Sequence, residues 1–394
     1  MATEHAEACC ELGRRLMGQG KLEEARASFQ QALWMRPDSA KAHNELGSVF
    51  AMQGQLAAAE SHHLQALRIN PNFTQAHISL GVIWLMAGKL EQAWPELEWQ
   101  RKLPEHRLRS YPQPLWDGSL LGGKRILIYP DGGLGDTLQY VRYLPLVRAK
   151  GGFVVLECQA GLAQLLRNCD GFDEIVDRCV GPNDRRTPFV VYAPLTSLPA
   201  VFRTTLCNIP ASVPYIHPEP ALLLHWRRRL RQDWSFKVGL CWQGNPKNSL
   251  DRYRSLPLKQ LAPLADVKGV TFYSLQKGPG HGQLADLPAN FAVRDLGRKL
   301  DETTGRFVET ASVLVNLDLV ITVDTAVAHL AGALGTPVWM LLGYMYDWRW
   351  ALEPDQSPWY PTLRLFRQPQ PGDWAAVVRK VVDALATLVA TRAS

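Results

Sequence analysis

The sequence predicts a helical repeat array followed by an α/β region made of two doubly wound sheet halves. Small residues recur every 34 positions through the first hundred residues. From Arg125 onward, short apolar runs alternate with helical patterns, twice over. The third observation is the stretch Leu317 to Leu342, LDLVITVDTAVAHLAGALGTPVWMLL, which reads as strand, polar turn, helix and strand. Asp324 and Thr325 break its first apolar run, and Ala326 to Leu334 reads as a small-residue helix. Gly335 and Pro337 end that helix before the buried run Val338 to Leu342.

At 394 residues, two or three domains are expected. An apolar content of 46% with 20% charged residues describes an ordinary globular chain. No apolar run reaches about 18 residues, which argues against a transmembrane helix. The opening MATEHAEACCELGRR lacks the apolar centre of a secretory signal. Seven cysteines without zinc-ligand spacing read as reduced thiols of a cytoplasmic protein. Residues 1–110 hold 12 basic and 12 acidic side chains, so the remainder carries the whole net charge of +6. That mild excess suits an anionic small ligand rather than a nucleic acid, and RRRLR at Arg227 to Arg231 reads as a solvated helix face.

Ala8, Ala42 and Ala76 stand 34 apart, as do Leu12, Leu46 and Leu80, and Gly13, Gly47 and Gly81. Gly20, Gly54 and Gly88 follow the same period, with Ala25, Ala59 and Ala93; Ala32 returns as Ala66 and Pro37 as Pro71. This pattern resembles the tetratricopeptide repeat, in which small residues mark the close approach of paired helices. The third copy departs at its end, where Gln100 replaces an alanine and Glu105 the proline, as a terminal or docking repeat would. Such arrays present a concave surface to proteins or peptides and do no chemistry themselves.

Prolines 104, 112 and 114 and glycines 118, 122 and 123 mark a boundary. A first half then runs through strands at Arg125 to Tyr129, Phe153 to Glu157, Ile175 to Val176 and Phe189 to Tyr192. A basic helix near Leu222 to Asp233 precedes a second half, with strands at Lys237 to Trp242, Val270 to Leu275, Ala292 to Leu296 and the stretch from Leu317. The expected domains are 1–104 for three repeats, 105–123 for a linker, 124–225 and 226–372 for two facing Rossmann-like lobes, and 373–394 for a helix crossing back onto the first lobe.

Ligands of open α/β sheets bind at the carboxyl ends of strands, where helix N-termini favour anions. The turn Gly133-Leu-Gly135-Asp136-Thr-Leu138 partly matches a dinucleotide fingerprint, with Glu157 near the place of a ribose-binding acid. Leu138 stands where the third glycine belongs, however, and Asp136 would face the pyrophosphate. Asp136 fits better as a general base beside glycines, Gly133 and Gly135, that admit an acceptor; a plain helix cap is the alternative. In the second half, three strand ends offer phosphate contacts: Gly244 and Asn245 with Arg254; Gln276 and Lys277; and Asp324, Thr325 and Ala326. His329 lies one turn after Thr325 and either reaches the site or fills the core. Tyr346 and Trp348 either stack on a ligand or pack between domains. No DxD pair, HExxH, GxSxG or Walker sequence occurs, so no metal or cofactor is expected, and a diphosphate would be neutralised by Arg254, Lys277 and helix dipoles.

VDTAVAHLAGALGTPVW resembles the donor-phosphate motif of the heptosyltransferase family, glycosyltransferase family 9, with Ala326 in the place of its usual glycine. GLGDTLQYVRYLPLVRAKG is similar to that family's first turn and helix, and the assigned base falls on Asp136. KVGLCWQGNP followed by DRYRSLPLKQLAPL resembles the first strand and basic loop of its donor lobe, placing a cation at Arg254. Joined to repeats, this part is also similar to the architecture of the O-linked N-acetylglucosamine transferase and SPINDLY enzymes. The resemblance implies a GT-B fold and a cytoplasmic, metal-independent, inverting glycosyltransferase. Its donor would be a nucleotide-diphosphate sugar, with a protein acceptor held by the repeats. The alternatives are a non-catalytic scaffold with a sugar-nucleotide-binding domain and an enzyme acting on a glycolipid.

Overall fold

The computed structural model describes residues 2–104, 111–178, 188–248 and 250–393. The chain divides into two compact units: Met1–Tyr111 with Pro199–Asn208, and Pro112–Leu198 with Ile209–Ser394.

The first unit holds three helical pairs, α1 (Ala2–Gly18) with α2 (Leu22–Met35), α3 (Ala40–Met52) with α4 (Leu56–Ile69), and α5 (Thr74–Met86) with α6 (Leu90–Leu97). The period has a steric origin. The turn glycines Gly20, Gly54 and Gly88 have φ of +78°, +77° and +75°, a region that side chains rarely adopt. Ala25, Ala59 and Ala93 are fully buried at the same point of each second helix. A Cβ added to Gly47 would lie 2.8 Å from the His63 ring, so the first helix of that pair touches its partner through bare backbone. The His63 imidazole is in turn anchored to Asn44, Nδ1 to Oδ1, at 3.0 Å, and burial pushes its pKa down to about 4. In the third pair α6 is short and passes into a 3-10 turn, Glu98–Lys102. Trp94 of α6 donates its indole N–H to the Thr204 carbonyl at 2.7 Å, so the segment Pro199–Asn208 closes the atypical repeat. Glu105, one mark of that departure, lies outside the described residues.

The second unit contains two parallel sheets. The first has the order β3-β2-β1-β4, from β1 (Arg125–Tyr129), β2 (Phe153–Gln159), β3 (Glu174–Arg178) and β4 (Val191–Pro194). The second has the order β10-β9-β8-β5-β6-β7, from β5 (Phe236–Cys241), β6 (Val270–Ser274), β7 (Val293–Asp295), β8 (Leu319–Val323), β9 (Val338–Leu342) and β10 (Leu363–Arg367). Every residue of β8 and β9 is buried, as a strand covered on both faces requires. Strand order reverses between β1 and β4 and between β5 and β8, and these two carboxyl-end crevices are where ligands of such sheets sit.

Three expected boundaries are corrected. The C-terminal helix Trp374–Ala393 does not cross back to the first half. Its Trp374, Val377, Val381 and Leu385 enter the core of the second sheet with Val238, Leu264 and Ile321, and Arg392 pairs with Asp318. The apolar stripe fits the nearest bare sheet face, the one flanking β5 and β8. The expected linker is partly ordered sheet margin: Leu115 bridges to Tyr192, and Trp116 and Leu121 are buried, while residues 105–110 lie outside the described residues. The lobe boundary after residue 225 would cut the helix Pro220–Leu230, which packs on the helix Val308–Val315 of the second half. Strand β10 is not marked in the sequence, because Leu-Arg-Leu-Phe-Arg is a short run interrupted by two arginines.

Replacing Gly47 with valine is expected to force the His63 ring away and cost roughly 1–3 kcal/mol, the usual penalty of overpacking. Denaturant titration followed by helical circular dichroism should show a lower midpoint for the repeats, and an unchanged midpoint would contradict this packing.

Candidate functional site

At the first crevice, β1 runs into the loop 130–133 and then the helix Leu134–Tyr140. Asp131 lies in this crevice, where it accepts hydrogen bonds from the backbone N–H (3.3 Å) and the hydroxyl of Thr196, at the end of β4. Burial raises its carboxyl pKa above the usual value against those hydrogen bonds. Asp136 stands in the first turn of the helix, and its Oδ2 accepts the Gly133 N–H at 2.7 Å. The cap contact and an accessible carboxylate therefore coexist, since the side chain remains 30% exposed. Of the two acceptor-side glycines, Gly133 orients Asp136. Gly135 faces the second half, where a Cβ would lie 2.9 Å from the His329 ring.

Asp136 Oδ1 is held by Arg349, whose Nη2 lies 2.6 Å away. The same guanidinium donates to Asp347 (2.9 Å), Gln139 (2.5 Å) and the Tyr140 hydroxyl (3.1 Å), and it is largely buried. Burial opposes its charge, yet Asp347, Tyr140 and Asp136 together keep its pKa well above the ordinary arginine value. No sequence motif marks Arg349. It lies in the aromatic stretch Tyr344 to Trp350, which draws attention to the rings instead. Those rings serve packing: Trp348 is buried edge-on against Trp359, and Tyr346 lies under the Arg367 guanidinium.

At the second crevice, Thr325 is the N-cap of the helix Ala326–Ala333, with extended φ and ψ of −141° and 170°. Its hydroxyl turns toward Thr322 (3.3 Å) and Cys241 (3.8 Å) and makes no cap bond. The N–H groups of Ala326 and Val327 consequently have no acceptor among the described residues. Asp324 beside them has its carboxyl pKa raised to about 6 by burial and by Asp347, opposed by Arg254, Arg349 and the Trp350 indole. Arg254 reaches the crevice from the short helix Asp251–Arg254, with its Nε 3.1 Å from Asp251 and its Nη2 2.7 Å from where a Gly244 Cβ would be.

The other expected contacts are turned elsewhere. Asn245 is exposed and accepts from the Lys247 N–H at 3.1 Å, closing its own turn. Gln276 is buried, with Oε1 accepting from Trp242 and Gln243 N–H groups and Nε2 donating to the Gln243 and Pro279 carbonyls. It pins the loop after β5 and has no amide hydrogen left over. Lys277 donates to the Leu300 carbonyl. His329 resolves to the core: it is 7% exposed, its Nδ1 is 2.8 Å from the Tyr360 hydroxyl, and burial with Arg349, Arg142 and Arg254 depresses its pKa far below the ordinary value. Beneath it lies buried Arg142, bound to the Trp359 carbonyl (2.6 Å) and the Tyr215 hydroxyl (2.7 Å). Sequence reasoning missed Arg142, Tyr215 and Tyr360 as well; no local signal marks them.

The raised pKa of Asp324 has a consequence for stability. Its folded value of about 6 exceeds the ordinary 3.8, so the folded chain is the tighter proton binder. The stabilisation is fully present below about pH 4 and is lost as the pH rises through about 6. Asp324→Asn is therefore expected to melt higher than the native protein at alkaline pH, with the gap closing on acidification. A gap independent of pH in thermal denaturation would contradict it.

The tetratricopeptide repeat family matches residues 10–72, and glycosyltransferase family 9 (heptosyltransferase) matches residues 304–372, which include the Asp324 to His329 turn. Protein FlbA of Caulobacter vibrioides is 30% identical over 300 residues, which are 71% of this chain and 49% of FlbA. The chain thus spans about half the length of that relative. A family 9 glycosyl transferase from Veillonella parvula shares the fold, with a TM-score of 0.51 at 12% identity over 70% of this chain and all of the other. The E. coli ADP-heptose heptosyltransferase II superposes with a TM-score of 0.49 at 13% identity, over 68% of this chain and all of the other. The chain thus joins a segment that matches tetratricopeptide repeats to one that matches glycosyltransferase family 9 (heptosyltransferase).

Proposed function

We propose that the protein transfers a sugar from a nucleotide-diphosphate donor to an acceptor hydroxyl, with inversion and without a metal. One observation carries this reading: an accessible carboxylate at one carboxyl-edge crevice is paired with an uncapped helix N-terminus at the other. Asp136 takes the proton of the acceptor hydroxyl; each of its oxygens accepts one described hydrogen bond and retains a lone pair. The Ala326 and Val327 N–H groups and Arg254 stabilise the departing diphosphate, a charge that oriented backbone donors and a guanidinium suit well. Arg349 holds the base in place. Base and leaving group belong to different halves, so the sugar lies between them, as direct displacement requires. The repeats recruit a protein acceptor, in keeping with the family they match.

Asp136→Asn keeps the shape of the side chain and its hydrogen bonds to Gly133 and Arg349 in part, but removes the base. Release of nucleoside diphosphate from UDP-, GDP- and ADP-sugars, with bacterial protein fractions as acceptors, is expected to fall by roughly 10²–10⁴-fold. Nucleoside diphosphate affinity should be unchanged. Full turnover by the variant would sink the base assignment, and product formed only with a lipid extract would overturn the protein acceptor.

A further inference from the structure

The helix Pro220–Leu230 and the turn after it carry a surface that sugar transfer does not use. Trp226 and Leu230 are buried, and Leu222 and Leu223 half-buried, on the side facing the second sheet's helices. At about 100° per residue, Leu224, Arg227, Arg228 and Arg231 share the opposite arc. All four are exposed. Arg229 is separate, its guanidinium lying over the Trp226 ring. Among the described residues no carboxylate pairs with Arg227, Arg228 or Arg231. The adjacent Asp233 is turned inward, bound by the Ser235 and Tyr273 hydroxyls and by Arg294, so its charge does not offset theirs. Three residues past Arg231, Trp234 is 96% exposed, and Leu224 is 51% exposed. An indole so fully in solvent is uncommon.

We propose that this patch docks the protein on an anionic membrane surface. The three arginines meet lipid phosphates, while Leu224 and Trp234 reach the headgroup boundary, the depth at which indoles are enriched. A nucleic acid would engage the arginines and the indole but leave Leu224 in water, so the combination favours a bilayer. The patch lies at the amino-terminal edge of the second sheet: Trp234 precedes β5, and Asn316, just before β8, donates to the Leu223 carbonyl. The carboxyl-edge site is at the opposite end of those strands, so docking leaves the site uncovered.

Flotation of the full chain with vesicles tests this, comparing pure phosphatidylcholine with vesicles containing roughly one third phosphatidylglycerol. The chain is expected to float only with the anionic vesicles, and to be released as salt rises from about 0.1 M to about 0.5 M. Each arginine replaced by an uncharged residue should lower partitioning roughly fivefold, and Trp234→Ser should lower it without changing the salt dependence. The triple variant Arg227→Glu, Arg228→Glu, Arg231→Glu should not float, with thermal unfolding unchanged because all three side chains are exposed. Failure to float on anionic vesicles overturns the proposal. So does flotation that ignores lipid charge or survives the triple reversal, or displacement of the vesicles by a single-stranded RNA acting through the same arginines.

Discussion

The Arg349 guanidinium is the contact on which the candidate site depends. It is delivered by the loop after β9, in the second half, and bonds three side chains of the helix that follows β1, in the first. A buried guanidinium is tolerated only when its hydrogens find acceptors, and here Asp136, Asp347, Gln139 and Tyr140 supply them. Removing one partner from such a cluster leaves part of a largely buried charge uncompensated, a loss that the exposure of the Asp136 and Asp347 carboxylates moderates. The position of Asp136 is therefore determined twice, locally by Gly133 and across the halves by Arg349.

A second cation, Arg142, works below it without a described carboxylate. Its charge is spread over the Trp359 carbonyl, the Tyr215 hydroxyl and the faces of Tyr215 and Tyr360. Tyr360 then meets His329, and His329 packs on the bare backbone of Gly135. Burial keeps that imidazole uncharged near neutrality. The two arginines hold the helix after β1 against the helix after β8, so the carboxylate and the open N-terminus keep a fixed relation.

What could be read in the sequence was what local sterics impose. Turn glycines, buried alanines and the Gly47 contact repeat because each helical pair meets the same constraint. Strands β8 and β9 declare themselves by unbroken apolar runs, and strand-end position places Asp136 at the first crevice and Arg254, Thr325 and Ala326 at the second. Side-chain direction was not legible. Gln276 and Lys277 stand at a strand end yet satisfy backbone carbonyls, because unpaired groups nearby needed donors. Arg349 and Asp136 are 213 residues apart, and no periodicity links them. The C-terminal helix shows an apolar face but not which sheet will cover it.

Under the proposed function, the uncapped N-terminus of the helix Ala326–Ala333 binds the donor's diphosphate. Ala326→Pro addresses it directly. Proline is tolerated at the first helical position, and the extended backbone of Thr325 suits a residue before proline, so the change removes one N–H and little else. Calorimetric titration with UDP, GDP and ADP is the measurement. The nucleotide bound by the native protein is expected to bind the variant at least about tenfold more weakly, the loss typical of a charge-assisted hydrogen bond, with the melting temperature preserved. Equal affinity in the two proteins would contradict it.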